Sequence, residues 1–469
     1  MFADDDKFHD ECGVFAISGH SEAARLVYLG LYGLQHRGQE SAGIVSSTGT
    51  RLHQKLGMGY VADVFDESSL SGLHGDMAVG HVRYSTTGES RLANAQPILT
   101  DSWRGPVALA HNGNLLETAK IRATLEKEGA VFQGTTDTEL MLHLLARQPL
   151  RQMELALQDV LNQLVGAFSL VLATLDSVWV GRDPHGVRPL CLGQLDGAWV
   201  VSSETCAFDL INATYIRDIR PGELLRIKNG ELSSFELRPA SRTAHCVFEH
   251  VYFSRPDSRV FEQSVHITRQ EMGRILAREA PVDADMVVPV PDSGVTAALG
   301  YAEESGIPFQ YGLIRNHYVG RTFIEPTHSI RHFGVKIKLN PVREILGGKR
   351  VVLIDDSIVR GTTSKKIVEM VRLAGAAEVH LRISSPPTVG PCHYGINTPT
   401  YEELIANERT LEEIRHYIQA DTLAYLSHEG LQQSVGDKGD FCMACFTQDY
   451  PIRVEAGASQ RSLFQLETS

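Results

Sequence analysis

Residues 351–364 read VVLIDDSIVRGTTS, and this block limits the possible folds more than any other part of the chain. The apolar run at its start suits a strand buried on both faces, as occurs where helices cover both sides of a parallel sheet. Asp355 and Asp356 follow directly, and in an open parallel sheet the carboxyl ends of the strands line the ligand crevice. Arg360, Gly361, Thr362, Thr363 and Ser364 then form a small-residue turn into a helix. Ile367, Met370, Val371 and Ala374 follow at helical spacing, and Gly375 is placed to end it. Backbone N–H groups and Thr hydroxyls at such a helix start can cradle a phosphate. Adjacent carboxylates can accept hydrogen bonds from sugar hydroxyls, so the combination fits a sugar phosphate. A solvated strand end with capping residues accounts for one acid but not for the whole arrangement.

Further apolar runs in the second half (DMVVPV and EVHLRISS) alternate with helical stretches such as SKKIVEMVRLAGA, which indicates a parallel sheet flanked by helices. The first half differs. CGVFAI, SAGIV, MAVGHVRY and VALAHNG read as short strands, residues 22–34 as a helix, and residues 166–181 as an antiparallel hairpin. At 469 residues the chain is long enough for two domains, and the polar, turn-rich stretch 219–241 is where they are expected to join. There is no internal repeat, and residues 456–469 read as a polar tail.

The formal net charge of −13 argues against a nucleic-acid surface, although Arg315, Arg321, Arg331, Lys336 and Lys338 gather positive charge locally. No apolar run is long enough to span a membrane, and the acidic start is wrong for a targeting signal, so the cytoplasm is the expected location. Seven cysteines, an odd number, argue against a disulfide framework.

Residues 351–364 resemble the phosphoribosylpyrophosphate-binding motif of the type I phosphoribosyltransferases. VVPVPDSG (287–294) is similar to that family's pyrophosphate loop, with Asp292, Ser293 and Gly294 at its tip. RNHYVGRTFIEP (315–326) resembles a mobile loop that closes over substrate, bringing in Tyr318 and Arg321, with Lys336 beyond. The resemblance implies one Mg²⁺ per subunit near Ser293, Asp355 and Asp356, held largely through water and substrate oxygens. Arg315 stands where related loops often carry lysine, and the two are not interchangeable at a phosphate.

In the first half, Cys12 in ECGVFAI, LQHRGQESAGI (34–44), GHVRYSTTG (80–88) and LAHNGNL (109–115) together resemble the class II glutamine amidotransferases, which are N-terminal nucleophile hydrolases. The fold implied is an α+β sheet sandwich between helices. In that family the chain begins at the cysteine, because a free α-amino group titrating near ~7.7–8.0 can serve as base for its own thiol. Residues 1–11 are therefore expected to be a propeptide. The resemblance further implies Asn112 and Gly113 as an oxyanion hole, Arg83 on the glutamine carboxylate, Asp137 on its ammonium, and Arg37 and Gly38 near the nucleophile.

The two halves together resemble the glutamine phosphoribosylpyrophosphate amidotransferases, specifically an iron–sulfur, propeptide-bearing branch. The implied organisation is an amidotransferase domain over 12–240 and a phosphoribosyltransferase domain over 241–455. The implied reaction moves ammonia from glutamine to C1 of 5-phosphoribosyl 1-pyrophosphate, the first step of purine synthesis, in a homotetramer inhibited by purine nucleotides. Cys442 and Cys445 form a C-x-x-C pair, and the resemblance adds Cys246 and Cys392 to make a [4Fe–4S] ligand set, with zinc as the alternative. Cys191 and Cys206 are expected in the core. The competing functional class is a non-catalytic nucleotide sensor on a phosphoribosyltransferase fold, which would not need Cys12, Arg83, Asn112 and Asp137 together.

Overall fold

A computed structural model of the chain describes residues 12–84, 90–149, 151–316, 339–436 and 440–453. The expected propeptide and polar tail, and Tyr318, Arg321 and Lys336, lie outside the described residues.

The first half is built on two antiparallel sheets. One has seven strands, with Gly13–Ser18 near its middle between Ala198–Ser202 and Met77–Arg83. The other has six, with Gly105–Leu115 paired to Gly166–Ala173 and Ile98–Ser102. Alternating side chains from the two inner faces, including Val14, Ala16, Val45 and Val79 from one and Ala108, Ala110, Val171 and Val180 from the other, share one buried core. Helix Ala23–Gly33 covers the outer face of the first sheet, packing Val27 and Leu31 with Phe15 and Ile17. Helices Asp137–Arg147 and Met153–Gln163 cover the second through Met141, Leu145, Leu157 and Leu161. This is the sheet sandwich between helices that the sequence implies.

The hairpin expected over residues 166–181 forms from Gly166–Ala173 and Val178–Arg182. The polar stretch 219–241 turns out less loop-like than its composition suggests. Strands Glu223–Lys228 and Glu231–Glu236 pair across Asn229 and Gly230, both at positive φ, and complete the second sheet. Its polarity marks an edge hairpin with one face in water.

The second half holds a parallel sheet in the order Met286–Pro289, Arg350–Asp355, Glu378–Ile383, Thr422–Tyr425. Val352 and Ile354 face a core shared with helices Val265–Glu279 and Val295–Ser305, and Val351 and Leu353 face one shared with helices Thr362–Leu373 and Leu411–Ile418. Burial on both faces explains why these strands are continuously apolar. No helix among the described residues is long and apolar enough to cross a membrane.

Candidate active sites and the residues between them

Cys12 stands just before the central strand Gly13–Ser18, whose register sets Gly13 opposite Val82 and so brings the end of Met77–Arg83 beside the thiol. The thiol donates to the backbone oxygen of Tyr84 at 3.5 Å, and Arg37 Nε donates to the Cys12 carbonyl at 3.2 Å. Burial pushes the thiol up to about 11, opposed first by the charge of Arg83, while Asp137 and Glu40 add to the rise. Arg83 is itself buried and pairs with Glu40 at 3.6 Å. Gly38 presses on the same strand end, since a Cβ there would stand 2.6 Å from the Arg83 nitrogen.

The second sheet supplies the facing groups. His81 Nε2 meets the backbone oxygen of His111 at 3.1 Å and ties the Arg83 strand to Gly105–Leu115, which carries Asn112 and Gly113. Asn112 is buried, and its Nδ2 finds no partner within the described residues. A buried amide donor left unpaired is costly unless a ligand completes it. Gly113 sits at φ +144°, and a Cβ there would meet the Ala167 oxygen at 2.1 Å, so only glycine fits. Asp137 opens helix Asp137–Arg147, accepting from Leu115 N at 3.0 Å and lying 3.5 Å from His111 Nδ1. Burial would raise its carboxyl, but His111 and the backbone donors outweigh that and hold it below the usual range.

At the end of strand Arg350–Asp355, Asp355 Oδ1 accepts from Asp356 N at 3.0 Å and Asp356 Oδ2 from the Ser357 hydroxyl at 2.6 Å. Both acids are almost wholly buried. Gly361, at φ +79°, caps helix Thr362–Leu373, so Thr362, Thr363 and Ser364 form its first turn. Gly294 caps helix Val295–Ser305 against the same strand: a Cβ there would stand 2.2 Å from the Ile354 oxygen. The buried Ser293 hydroxyl has no partner within the described residues. Arg315 pairs with Asp292 beside a groove lined also by Pro291, Thr296 and Tyr311. Arg360 turns instead to Glu403, at 2.9 Å. The structure thus gathers Cys12, Gly38 and Arg83 at one strand end of the first sheet, with Asp137 at the end of strand Gly105–Leu115 in the second, and sets Asp292, Ser293 and Gly294 and the acidic pair after neighbouring strands of the parallel sheet.

Residues 81–209 match a glutamine amidotransferase domain family. Over 452 residues the chain is 53% identical to amidophosphoribosyltransferase 2, chloroplastic, of Arabidopsis thaliana, covering 96% of this chain and 81% of that one. It is 48% identical to the amidophosphoribosyltransferase of Bacillus subtilis over 460 residues, 97% of both chains. The fold matches the solved B. subtilis glutamine phosphoribosylpyrophosphate amidotransferase complexed with ADP and GMP at a TM-score of 0.92, with 47% identity over 96% of this chain and 99% of that one. The chain belongs to the amidophosphoribosyltransferase family.

The narrower branch that the cysteines suggested requires correction. Among the described residues, no group of three or more His, Cys, Asp or Glu side chains is arranged to hold a metal ion. That finding overturns the [4Fe–4S] assignment to Cys246, Cys392, Cys442 and Cys445, and with it the zinc alternative. The propeptide half of the branch has no structural support, since residues 1–11 lie outside the described residues. The four cysteines do share a region of the fold. Cys246 and Cys442 are in register across a short parallel pairing, and Cys392 and Cys445 lie in the same core. They sit there as thiols whose ionisation burial opposes. The C-x-x-C spacing places two thiols near each other; it does not by itself orient four towards one centre. Cys191 and Cys206 are core residues, as expected.

In this amidophosphoribosyltransferase, Arg37 lies beside Cys12, and acids that its motif did not point to also hold it. Its guanidinium is buried and engaged by Glu204 at 2.5 Å and Glu249 at 2.7 Å. Glu249 also pairs with Arg188. Neither acid stood out in the sequence, because they lie 167 and 212 residues from Arg37. His111 and Glu40 were also passed over; each touches a residue that the motifs did select.

Proposed function

We propose that this chain is a glutamine-dependent amidophosphoribosyltransferase in which Cys12 attacks the glutamine amide and the acidic strand end binds 5-phosphoribosyl 1-pyrophosphate. The observation that carries the first half is the unpaired, buried Asn112 amide beside Gly113, which supports their role as donors to the tetrahedral oxygen. Arg83 offers a planar fork for the glutamine carboxylate, and its charge favours the thiolate against burial. Asp137, kept ionised by His111, suits the ammonium group. Arg37 acts from behind, on the carbonyl of Cys12.

The released ammonia then attacks C1 of the ribose as pyrophosphate departs. Asp355 and Asp356 take the ribose hydroxyls, the turn 360–364 takes the 5′-phosphate, and Ser293 and Gly294 face the pyrophosphate. Asp355, Asp356 and the unpaired Ser293 hydroxyl suit Mg²⁺, which when bound would offset charge on the leaving group. The B. subtilis structure bound to ADP and GMP supports purine nucleotides as inhibitors here. A homotetramer in the cytoplasm, independent of nucleic acid and membranes, completes the reading.

The test is glutamate release and phosphoribosylamine formation, measured with each substrate alone and with both. Activity that needs both substrates supports the reading. No glutamate with both present overturns it.

A further inference from the structure

Residues 94–96 belong to none of the motifs, yet Asn94 and Gln96 are almost wholly buried and bond to the elements that carry Asn112, Gly113 and Asp137. Gln96 Oε1 accepts from His111 N at 2.8 Å, on strand Gly105–Leu115. Asn94 makes a two-way pair with Thr135, just ahead of Asp137. Its Nδ2 donates to the Thr135 hydroxyl at 2.9 Å, and its Oδ1 accepts from Thr135 N at 2.9 Å. Glu139 holds the same turn from the helix side, accepting from Gln133 N and Gly134 N, each at 2.7 Å. The segment has little room to shift. A Cβ at Gly43 would stand 2.2 Å from the Gln96 oxygen, and one at Gly134 would stand 2.7 Å from Asn94 Oδ1.

Asp137 Oδ2 accepts from Leu115 N at 3.0 Å, so side chains take the N–H groups of both His111 and Leu115. Gly113 lies between these two fixed points. Phe168, opposite Gly113, donates to Asp183 Oδ2 at 3.2 Å and accepts from Asp183 N at 2.8 Å. Strand alternation therefore turns the Gly113 N–H to the edge held by Gln96 and Asp137. One short segment thus fixes the strand of Asn112 and Gly113 and, through Thr135, the turn that leads to Asp137.

We propose that Asn94 and Gln96 are positioning residues that set the side-chain length the amide site accepts, by fixing the span between Asp137 and the donors Asn112 and Gly113. This rests on the function proposed above, in which Asp137 meets the substrate ammonium and the two donors meet its amide oxygen. In that pose the span measures the methylenes between the two ends of the substrate. Asparagine is shorter than glutamine by one carbon–carbon bond, about 1.5 Å. A misplacement of about 1 Å at the reacting centre can cost on the order of a hundredfold in rate, so a span held this closely separates the two amides. The tie from Asp137 to Leu115 N holds one side of Gly113, and Gln96 holds the other.

The test uses the full-length enzyme with Gln96→Leu, which removes the acceptor, and Thr135→Val, which removes the hydroxyl that Asn94 holds and leaves the backbone N–H. Glutamate release from glutamine and aspartate release from asparagine are measured for each, beside synthesis driven by ammonium salts. In Gln96→Leu, kcat for glutamine hydrolysis should fall at least about tenfold, and so should the preference for glutamine over asparagine in kcat/KM. Thr135→Val should lower that preference about threefold, and it carries the test where Gln96→Leu does not fold. Ammonium-driven synthesis should stay within about twofold of wild type in both. A role in folding alone moves both amides together, so an unchanged preference in the folded variants would overturn the proposal. Asparagine turnover too slow to detect while glutamine hydrolysis falls would overturn it as well. Absence of glutamate release by the wild type would sink the proposed function instead.

Discussion

Asn114 Nδ2 donates to the backbone oxygen of His393 at 2.9 Å, joining strand Gly105–Leu115 to a segment 279 residues further along the chain. The same segment presses on the strand at Gly395, where an added Cβ would stand 3.1 Å from Gly113. The second half of the chain therefore packs directly against Gly113 and Asn114. Asn114→Ala removes that tie at a cost of about 1 kcal/mol. A small drop in thermal stability is expected, with glutamine-driven activity falling more than ammonium-driven activity. Equal effects on both would mean that the contact serves stability only.

Asn112→Ala tests the oxyanion assignment directly. The Asn112 Nδ2 finds no partner within the described residues, so removing that donor breaks no hydrogen bond there. Stability should hold, while kcat for glutamine hydrolysis falls by ~10²–10³ and ammonium-driven synthesis continues. Steady-state kinetics beside a melting curve decide it, and loss of stability without loss of kcat would refute the role.

Arg83→Lys keeps the charge but not the fork. A point charge in place of the planar guanidinium should raise KM for glutamine by roughly tenfold or more. The charge that opposes the burial penalty on Cys12 remains, so kcat should change less than KM. An unchanged KM would place the substrate carboxylate elsewhere.

What the sequence discloses here follows from how far apart cooperating residues lie. The acidic pair and phosphate turn are contiguous in 351–364, so strand, acids and helix start can be read off together, and the parallel sheet follows from its doubly buried strands. Cys12, Arg83, Asn112 and Asp137 are scattered, but each sits in a short motif on or beside a strand or at the start of a helix. The Arg37–Glu204–Glu249 arrangement has no such local signature. Its acids resemble any surface glutamate until the fold removes them from water. The cysteines show the opposite error, a local spacing that promised more than the side-chain geometry delivers.

The buried acids also predict a pH dependence. Despite burial, His36 and Arg37 hold the Glu204 carboxyl at about 2, below its ordinary 4.5. The folded state then binds fewer protons than the unfolded chain across that interval, so stability from this group is fully present above about pH 4.5. It is lost as pH falls towards 2. The shift corresponds to roughly 3 kcal/mol at neutral pH. Glu204→Gln should therefore be less stable than wild type by about that amount at pH 7, and more if Arg37 is left without compensation. The gap should narrow steadily below about pH 4.5, because wild type loses there what the variant never had. Denaturant unfolding of both proteins from pH 7 down through that range measures it, and a gap that stays constant with pH would show that folding does not lower the Glu204 pKa.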